Sequence, residues 1–382
     1  MFFCVAYGKM VPTGGEDMEF SGKMAELGRL SGYVSRLRRE PELVYLFFEL
    51  TDACNLSCLH CGSGASPRNR QYLSMERMEK VLTEVAERYD TRRIMVCLTG
   101  GEPMLHPDFY QVAKQATELG FGCGITTNGT LIDEAAANRM ADSGIRSVTF
   151  SLDGMAGNHD WFRNRPGSFT QTLEGVKHLV AAFHGRGVTQ ITTVVHRKNI
   201  GELEQVYDLV RSLGVSSWRL INLDPIGRAL EHEDLLLQPE EFRFLLDYIR
   251  DKRRDPECTM DVTYGCSHYL PLEYEHEVRD YYFLCGAGIC VGSVLCNGDI
   301  YACLDVQRRP ELIQGNVDRD NFVDVWENRF RQFREDRTER CGTCRNCGDR
   351  QFCRGDGAHT WDYDRQRPLI CVRRMLEGES NE

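Results

Sequence analysis

Short apolar runs alternate with amphipathic stretches between residues 44 and 222. "VYLFFEL" (44–50), "RIMVCL" (93–98), "GCGITT" (122–127), "RSVTFSL" (146–152), "QITTVV" (190–195) and "SWRLIN" (217–222) read as strands. Most are near-continuously apolar, as parallel strands covered on both faces are. Between them, Met75, Met78, Leu82 and Val85 recur at helical spacing behind Ser74, which is placed as an N-cap. Asn199 and Glu202 predict a capping box ahead of Leu203, Val206 and Val210. Six β/α repeats result. That is too few for the usual eight-stranded closed barrel, so the pattern predicts an α/β fold with an open, partial (β/α)6 barrel over 44–229. "QPEEFRFLLDYIRDKRRDPE" adds one more helix, in a helical bridge over 230–284. Residues 1–43 show no clear motif and are taken as an N-terminal extension.

Composition changes little: 382 residues, 42% hydrophobic and 27% charged, suit a globular chain. The net charge of -11 argues against a non-specific nucleic-acid binder. "MFFCVAYGKM" lacks the basic region and cleavage site of a signal peptide, and no apolar run reaches membrane-spanning length. A cytoplasmic location is expected.

Seventeen cysteines are the informative feature. In a reducing compartment, clustered thiols more often hold metal than form disulfides. Cys4, Cys97, Cys123, Cys258 and Cys266 stand alone and read as core residues. The groups at 54–61, 285–303 and 341–353 do not. Cys54, Cys58 and Cys61 follow the first strand as C-x3-C-x2-C. Zinc would need a fourth ligand, and His60, between two ligating neighbours, is awkwardly placed. A cubane [4Fe–4S] cluster on three thiolates keeps one iron open instead. The other strand ends carry "TGGEP" (99–103), "TTNGT" (126–130), "SLDG" (151–154), "HRKN" (196–199) and "LDPIGR" (223–228), and all would rim one mouth.

In these motifs the chain resembles the radical S-adenosylmethionine (SAM) superfamily, whose fold is a partial TIM-like barrel. The resemblance implies that Cys54, Cys58 and Cys61 hold a [4Fe–4S] cluster whose open iron binds SAM, and that SAM is cleaved reductively to a 5'-deoxyadenosyl radical. It places Gly100, Gly101, Glu102 and Pro103 at the SAM amino group, and Asn128, Ser151 and, less directly, Asp153 at its ribose or carboxylate. Asn-Gly and Asp-Gly are also favoured turn dipeptides, so a purely structural role stays open for these.

The C-terminal segment, 285–375, resembles the SPASM extension, a Cys-rich domain that usually binds two auxiliary iron–sulfur clusters. By that resemblance Cys344, Cys347, Cys353 and Cys371 hold one. Cys285, Cys290 and Cys303 fit the other, with Cys296 as a rival to Cys290. Its usual last cysteine is replaced by Gly357; Cys341 is favoured in its stead, ahead of Asp356 or an open iron. A zinc ribbon is the plainer reading of Cys341, Cys344, Cys347 and Cys353.

Enzymes of this type commonly modify peptides. The implied function is a maturase that abstracts hydrogen from a ribosomally made peptide and installs a cross-link or other oxidative change. The implied partners are a peptide or protein substrate, a reductant such as flavodoxin or ferredoxin, and, as one route to leader binding, a separate recognition protein. Formylglycine formation is less supported, because Asp305 lies one position beyond the expected base, with Leu304 in its place. The same motifs also admit radical chemistry on a small molecule, and a plain electron carrier without radical chemistry.

Overall fold

In the computed structural model, residues 20–265 and 268–379 are described; Cys4 and Cys266 lie outside the described residues. Helix α1 (Phe20–Arg39) precedes β1 (Tyr45–Glu49) and α2 (Met75–Arg88). Then come β2 (Met95–Thr99), α3 (Phe109–Glu118), β3 (Gly122–Thr127), α4 (Glu134–Asp142) and β4 (Ser147–Ser151). Helices α5 (Ala156–Phe162) and α6 (Ser168–Phe183) lead to β5 (Val188–Val195), α7 (Leu203–Ser212) and β6 (Ser217–Asn222). Each of the six expected strands is present. Ser74 caps α2 as expected, its hydroxyl accepting from Arg77 N.

Asn199 behaves otherwise. Its side chain accepts from His196 N at 2.8 Å and donates to Val194 O at 2.8 Å and Asp153 O at 3.2 Å. Glu202 instead accepts from Met155 N at 2.9 Å. The expected capping box is therefore absent: Asn199 is buried, and the backbone of neighbouring strand ends takes its hydrogen bonds before the helix can.

The sheet runs further than six strands. After α8 (Pro239–Arg254), β7 (Asp261–Tyr264) pairs parallel with β6, and β8 (Val291–Val294) pairs parallel with β1. Strands β9 (Asp299–Tyr301) and β10 (Gly315–Asn316) extend it antiparallel, in the order β10-β9-β8-β1-β2-β3-β4-β5-β6-β7. Strands this short leave no clear period in sequence. The architecture is an open parallel barrel with helices outside it, and the Cys-rich segment is built onto its β1 edge.

The C-terminal segment also shares the barrel's apolar core. Phe322, Val325 and Trp326 on α9 (Phe322–Asn328) join the cluster that contains Phe48, Val96 and Phe150. Glu84 on α2 accepts from Phe322 N, and Tyr89, just past the end of α2, donates to Glu327. Glu275 and Arg279 form an ion pair with both side chains fully buried. Arg279 also donates to Gly265 O at 3.1 Å and His268 O at 3.0 Å, holding the bridge onto β7. Removing one partner of such a pair strands the other charge. Arg279→Met is expected to lower the unfolding free energy by about 3–5 kcal/mol in urea titration, with a smaller loss for the Glu275→Leu, Arg279→Met double variant.

Candidate active site

The cysteine loop leaves β1 at Leu50 and is fixed to the end of β2 by backbone alone. Gly101 N donates to Thr51 O at 2.8 Å and Glu102 N to Ala53 O at 2.9 Å. A Cβ on Gly100, whose φ is +142°, would stand 2.3 Å from Thr51 O, and one on Gly101 2.3 Å from Ala53 O. Neither atom can yield, because both belong to backbone. Glycine is required here for close approach.

The loop faces a solvent-open cavity at the C-terminal ends of the strands. All three thiols, Cys54, Cys58 and Cys61, line it, as do Gly100, Gly101, Asn128 and Ser151. Donors surround the sulfurs. Leu56 N lies 3.4 Å and Asn128 Nδ2 3.9 Å from Cys54 Sγ, Arg163 Nη1 lies 3.7 Å from Cys58 Sγ, and Ser63 Oγ 3.4 Å from Cys61 Sγ. Such donors pull towards thiolate, the form that binds metal, against burial, which pushes the Cys54 thiol up to about 12 and the Cys58 thiol up in the absence of metal. Thr126 and Thr149, register partners on β3 and β4, line the same cavity with buried hydroxyls that have no hydrogen-bond partner. Three thiols and two orphaned hydroxyls fit an iron–sulfur group carrying a polar ligand. His60, the zinc alternative, stacks on Phe162 with centroids 4.1 Å apart.

Three sequence candidates sit behind this wall. Glu102 is fully buried and does not line the cavity with Gly100 and Gly101. Its carboxylate accepts from Thr127 Oγ1 at 2.9 Å, Asn128 N at 2.9 Å and Met104 N at 3.3 Å. It ties the end of β2 to the end of β3, and Pro103 opens the turn that follows. Asp153 is also fully buried; it pairs with Arg163 at 2.5 Å and accepts from Val194 N at 2.8 Å. Arg163, not Asp153, reaches the cavity and the Cys58 sulfur.

Other groups at the rim were not singled out from sequence. Arg228 donates to Cys58 O at 2.7 Å and Ala65 O at 3.1 Å, clamping the cysteine loop from the end of β6. Asp224, beside it, takes His268 Nε2 at 2.8 Å, and His268 Nδ1 meets Asp356 at 2.7 Å. Burial opposes charge on His268, but the two carboxylates outweigh it and push its pKa up to about 10. Asp224 lies in "LDPIGR"; the 132 residues separating it from Asp356 gave no pairing signal.

Further thiols group in the C-terminal segment. Cys344, Cys347, Cys353 and Cys371 line one pocket, and Arg373 donates to Cys347 Sγ at 3.1 Å. Cys341 sits beside Cys344, whose N lies 3.4 Å from its sulfur. Cys285 accepts from Ala358 N at 3.3 Å and is electrostatically coupled to Cys303. Cys290 packs in a cluster with Leu37 and Ile289, while Cys296 meets Gln71 and Glu49. Asp356, the alternative to Cys341, already gives one carboxylate oxygen to His268 and the other to Tyr269 N, so ligating iron would compete with these bonds. Among the described residues no three His, Cys, Asp or Glu side chains converge on a site for a single metal ion. Cys97 and Cys123 are core residues, as expected; Cys258 is half-buried and donates to Met260 O at 3.2 Å.

Burial pushes the Glu102 carboxyl up to about 7, against the pull of its hydrogen-bond donors. The folded protein then keeps a proton that the unfolded chain releases near the ordinary value of 4.5. Stability conferred by this group is present below that value and lost as pH rises towards about 7. In urea titrations of apo-protein, the stability of wild type relative to Glu102→Gln is expected to fall as pH rises through this window; the lowered histidines His159 and His196 contribute equally to both proteins and cancel.

Residues 48–210 match the radical SAM superfamily, and residues 285–348 match the SPASM iron–sulfur cluster-binding domain. The chain is 33% identical to the mycofactocin maturase MftC of Mycobacterium ulcerans, over 82% of each chain. It is 28% identical to the AdoMet-dependent heme synthase of Methanosarcina barkeri, over 85% of this chain and 95% of that one. The fold is similar to that of Streptococcus suis SuiB bound to SAM, with a TM-score of 0.66 at 18% identity over 86% of this chain and 76% of that one. No helix among the described residues is long and apolar enough to cross a membrane. The chain therefore belongs to the radical SAM superfamily with a SPASM domain, and is an enzyme that uses SAM, a [4Fe–4S] cluster and auxiliary iron–sulfur clusters.

Proposed function

We propose that this enzyme abstracts hydrogen from a peptide and leaves it oxidatively modified, with a cross-link as the leading outcome. The observation that carries this reading is the convergence of three thiols, the Gly100–Gly101 backbone, Asn128 and Ser151 on one cavity. Cys54, Cys58 and Cys61 would hold the cluster, which when bound would supply the electron for reductive cleavage of SAM. Gly100 and Gly101 leave room for the SAM amino group, and Ser151 and the two orphaned threonines offer hydrogen bonds to its polar parts, while Asn128, its amide engaged by Asn55, Cys54 and Thr130, braces the cysteine loop against the ligand. Glu102, Pro103 and Asp153 act from behind the wall, as positioning residues. A wall of fixed dipoles holds the reacting carbon near its target and keeps water from the radical.

In the C-terminal segment, Cys344, Cys347, Cys353 and Cys371 hold one auxiliary cluster, with Cys341 beside them. Cys285 and Cys303 hold the other, which leaves two positions to fill; the sequence candidates are Cys290, packed beside Ile289, and Cys341, which lies beside Cys344 instead. A flavodoxin or ferredoxin serves as reductant. The peptide substrate is supported by the likeness to mycofactocin maturase.

Likeness to heme synthase over most of the chain favours a second reading, radical chemistry on a tetrapyrrole precursor. The formylglycine reading keeps one supporting feature, since Leu304 and Asp305 both line the cavity.

Reconstituted enzyme with SAM and dithionite, without oxygen, is expected to form 5'-deoxyadenosine, and Cys58→Ala to form none. Small peptides encoded beside the gene are expected to lose two hydrogen atoms by mass spectrometry. Turnover of a tetrapyrrole and of no such peptide would reverse the order of the two readings.

A further inference from the structure

Helix α1 lies outside both family matches, yet it closes a pocket whose far wall carries Cys285 and Cys353. Leu27, Leu30 and Val34 supply its apolar side. Three guanidiniums share it: Arg38 from α1, Arg337 and Arg354. Arg354 is anchored on α1 by Ser31 O at 2.8 Å and Ser35 Oγ at 2.9 Å. Arg337 donates to Asp356 O at 3.1 Å and lies 5.5 Å from the Trp361 ring centroid. Arg38 reaches Glu335 O only at 3.5 Å, and its Nε is buried with no partner.

Two carboxylates are near enough to matter, and both are engaged. Asp336 pairs with Arg350 at 2.9 Å and caps Thr338. Asp356 gives its oxygens to Tyr269 N and His268. Burial first, then the charges of Arg354 and Arg337, lower the Arg38 pKa to about 10, while Asp336 and Cys285 pull the other way. Gathering like charges in a partly apolar pocket is unfavourable unless an anion offsets them. A thiolate-bound iron–sulfur cluster is such an anion, and its potential follows local charge and burial.

Resting on the assignment of Cys285 and Cys303 to one auxiliary cluster, we propose that Arg38, with Arg337 and Arg354, forms a cationic seat for that cluster and raises its reduction potential. The reduced cluster carries one more negative charge than the oxidised one, so a neighbouring guanidinium stabilises the reduced state more. Helix α1 is then part of the redox apparatus, although it contributes no ligand.

The test is a dithionite titration of reconstituted full-length protein, followed by electron paramagnetic resonance and iron counting. Cys285→Ala identifies the signal that belongs to this cluster. Arg38→Gln is expected to keep its iron and to lower the reduction constant of that signal about tenfold, about 59 mV for one electron; Arg38→Lys is expected to stay near wild type. Loss of iron from Arg38→Gln but not Arg38→Lys also supports a role for the charge. An unchanged midpoint in Arg38→Gln at full iron overturns the proposal, and so does loss of iron in both variants, which would mean that shape alone matters. If Cys285→Ala removes no signal, the ligand assignment falls and the proposal falls with it; if it removes one that Arg38→Gln leaves unmoved, only the proposal falls.

Discussion

The backbone of the cysteine loop touches the backbone at the end of β2, and no side chain fits between them. With Cβ positions only 2.3 Å from Thr51 O and Ala53 O, any substitution at Gly100 or Gly101 would force the loop outward. The loop carries Cys54, so the placement of the first thiol follows from this contact. From the same seam a chain of buried hydrogen bonds runs on through Glu102 to Thr127 and Asn128, and from Asn128 Nδ2 back to Asn55 at 2.8 Å. Cysteine loop, glycine turn and β3 end are thus one rigid unit, the preorganisation that radical chemistry requires.

Fixed charge around the cavity is held just as firmly. Arg163 stands between Asp153 and the Cys58 sulfur, and Arg228 holds the loop by its carbonyls. Across the mouth, the cationic His268 between Asp224 and Asp356 links the end of β6 to the C-terminal segment. Each guanidinium or imidazolium has defined partners, so little reorganisation remains when a ligand enters.

The C-terminal segment is not a separate bead. Strand β8 pairs with β1, α9 packs on α2, and Trp326 belongs to the main apolar cluster. The segment's sequence lacks long apolar runs, so it could not build a sizeable core alone. Burial against the barrel does much of that work, and it fixes the auxiliary thiols relative to the cavity.

Sequence alone determined the parts whose cause is local. Strand positions followed from apolar runs, the Ser74 cap from its neighbours, and the three-thiol loop from a spacing that few other chemistries require. What only the tertiary structure decided is what distant residues do to each other. Glu102 and Asp153 look like ligand contacts when read in order along the chain, but burial turns them inward to Thr127, Asn128 and Arg163. Asn199 abandons its helix for the ends of two strands. Helix α1, β7 and β8 were missed because their apolar positions are few and gain meaning only against a partner surface. The His268 bridge joins residues 224, 268 and 356, and hydrogen-bond demand in a dry interior, not sequence proximity, selects such partners.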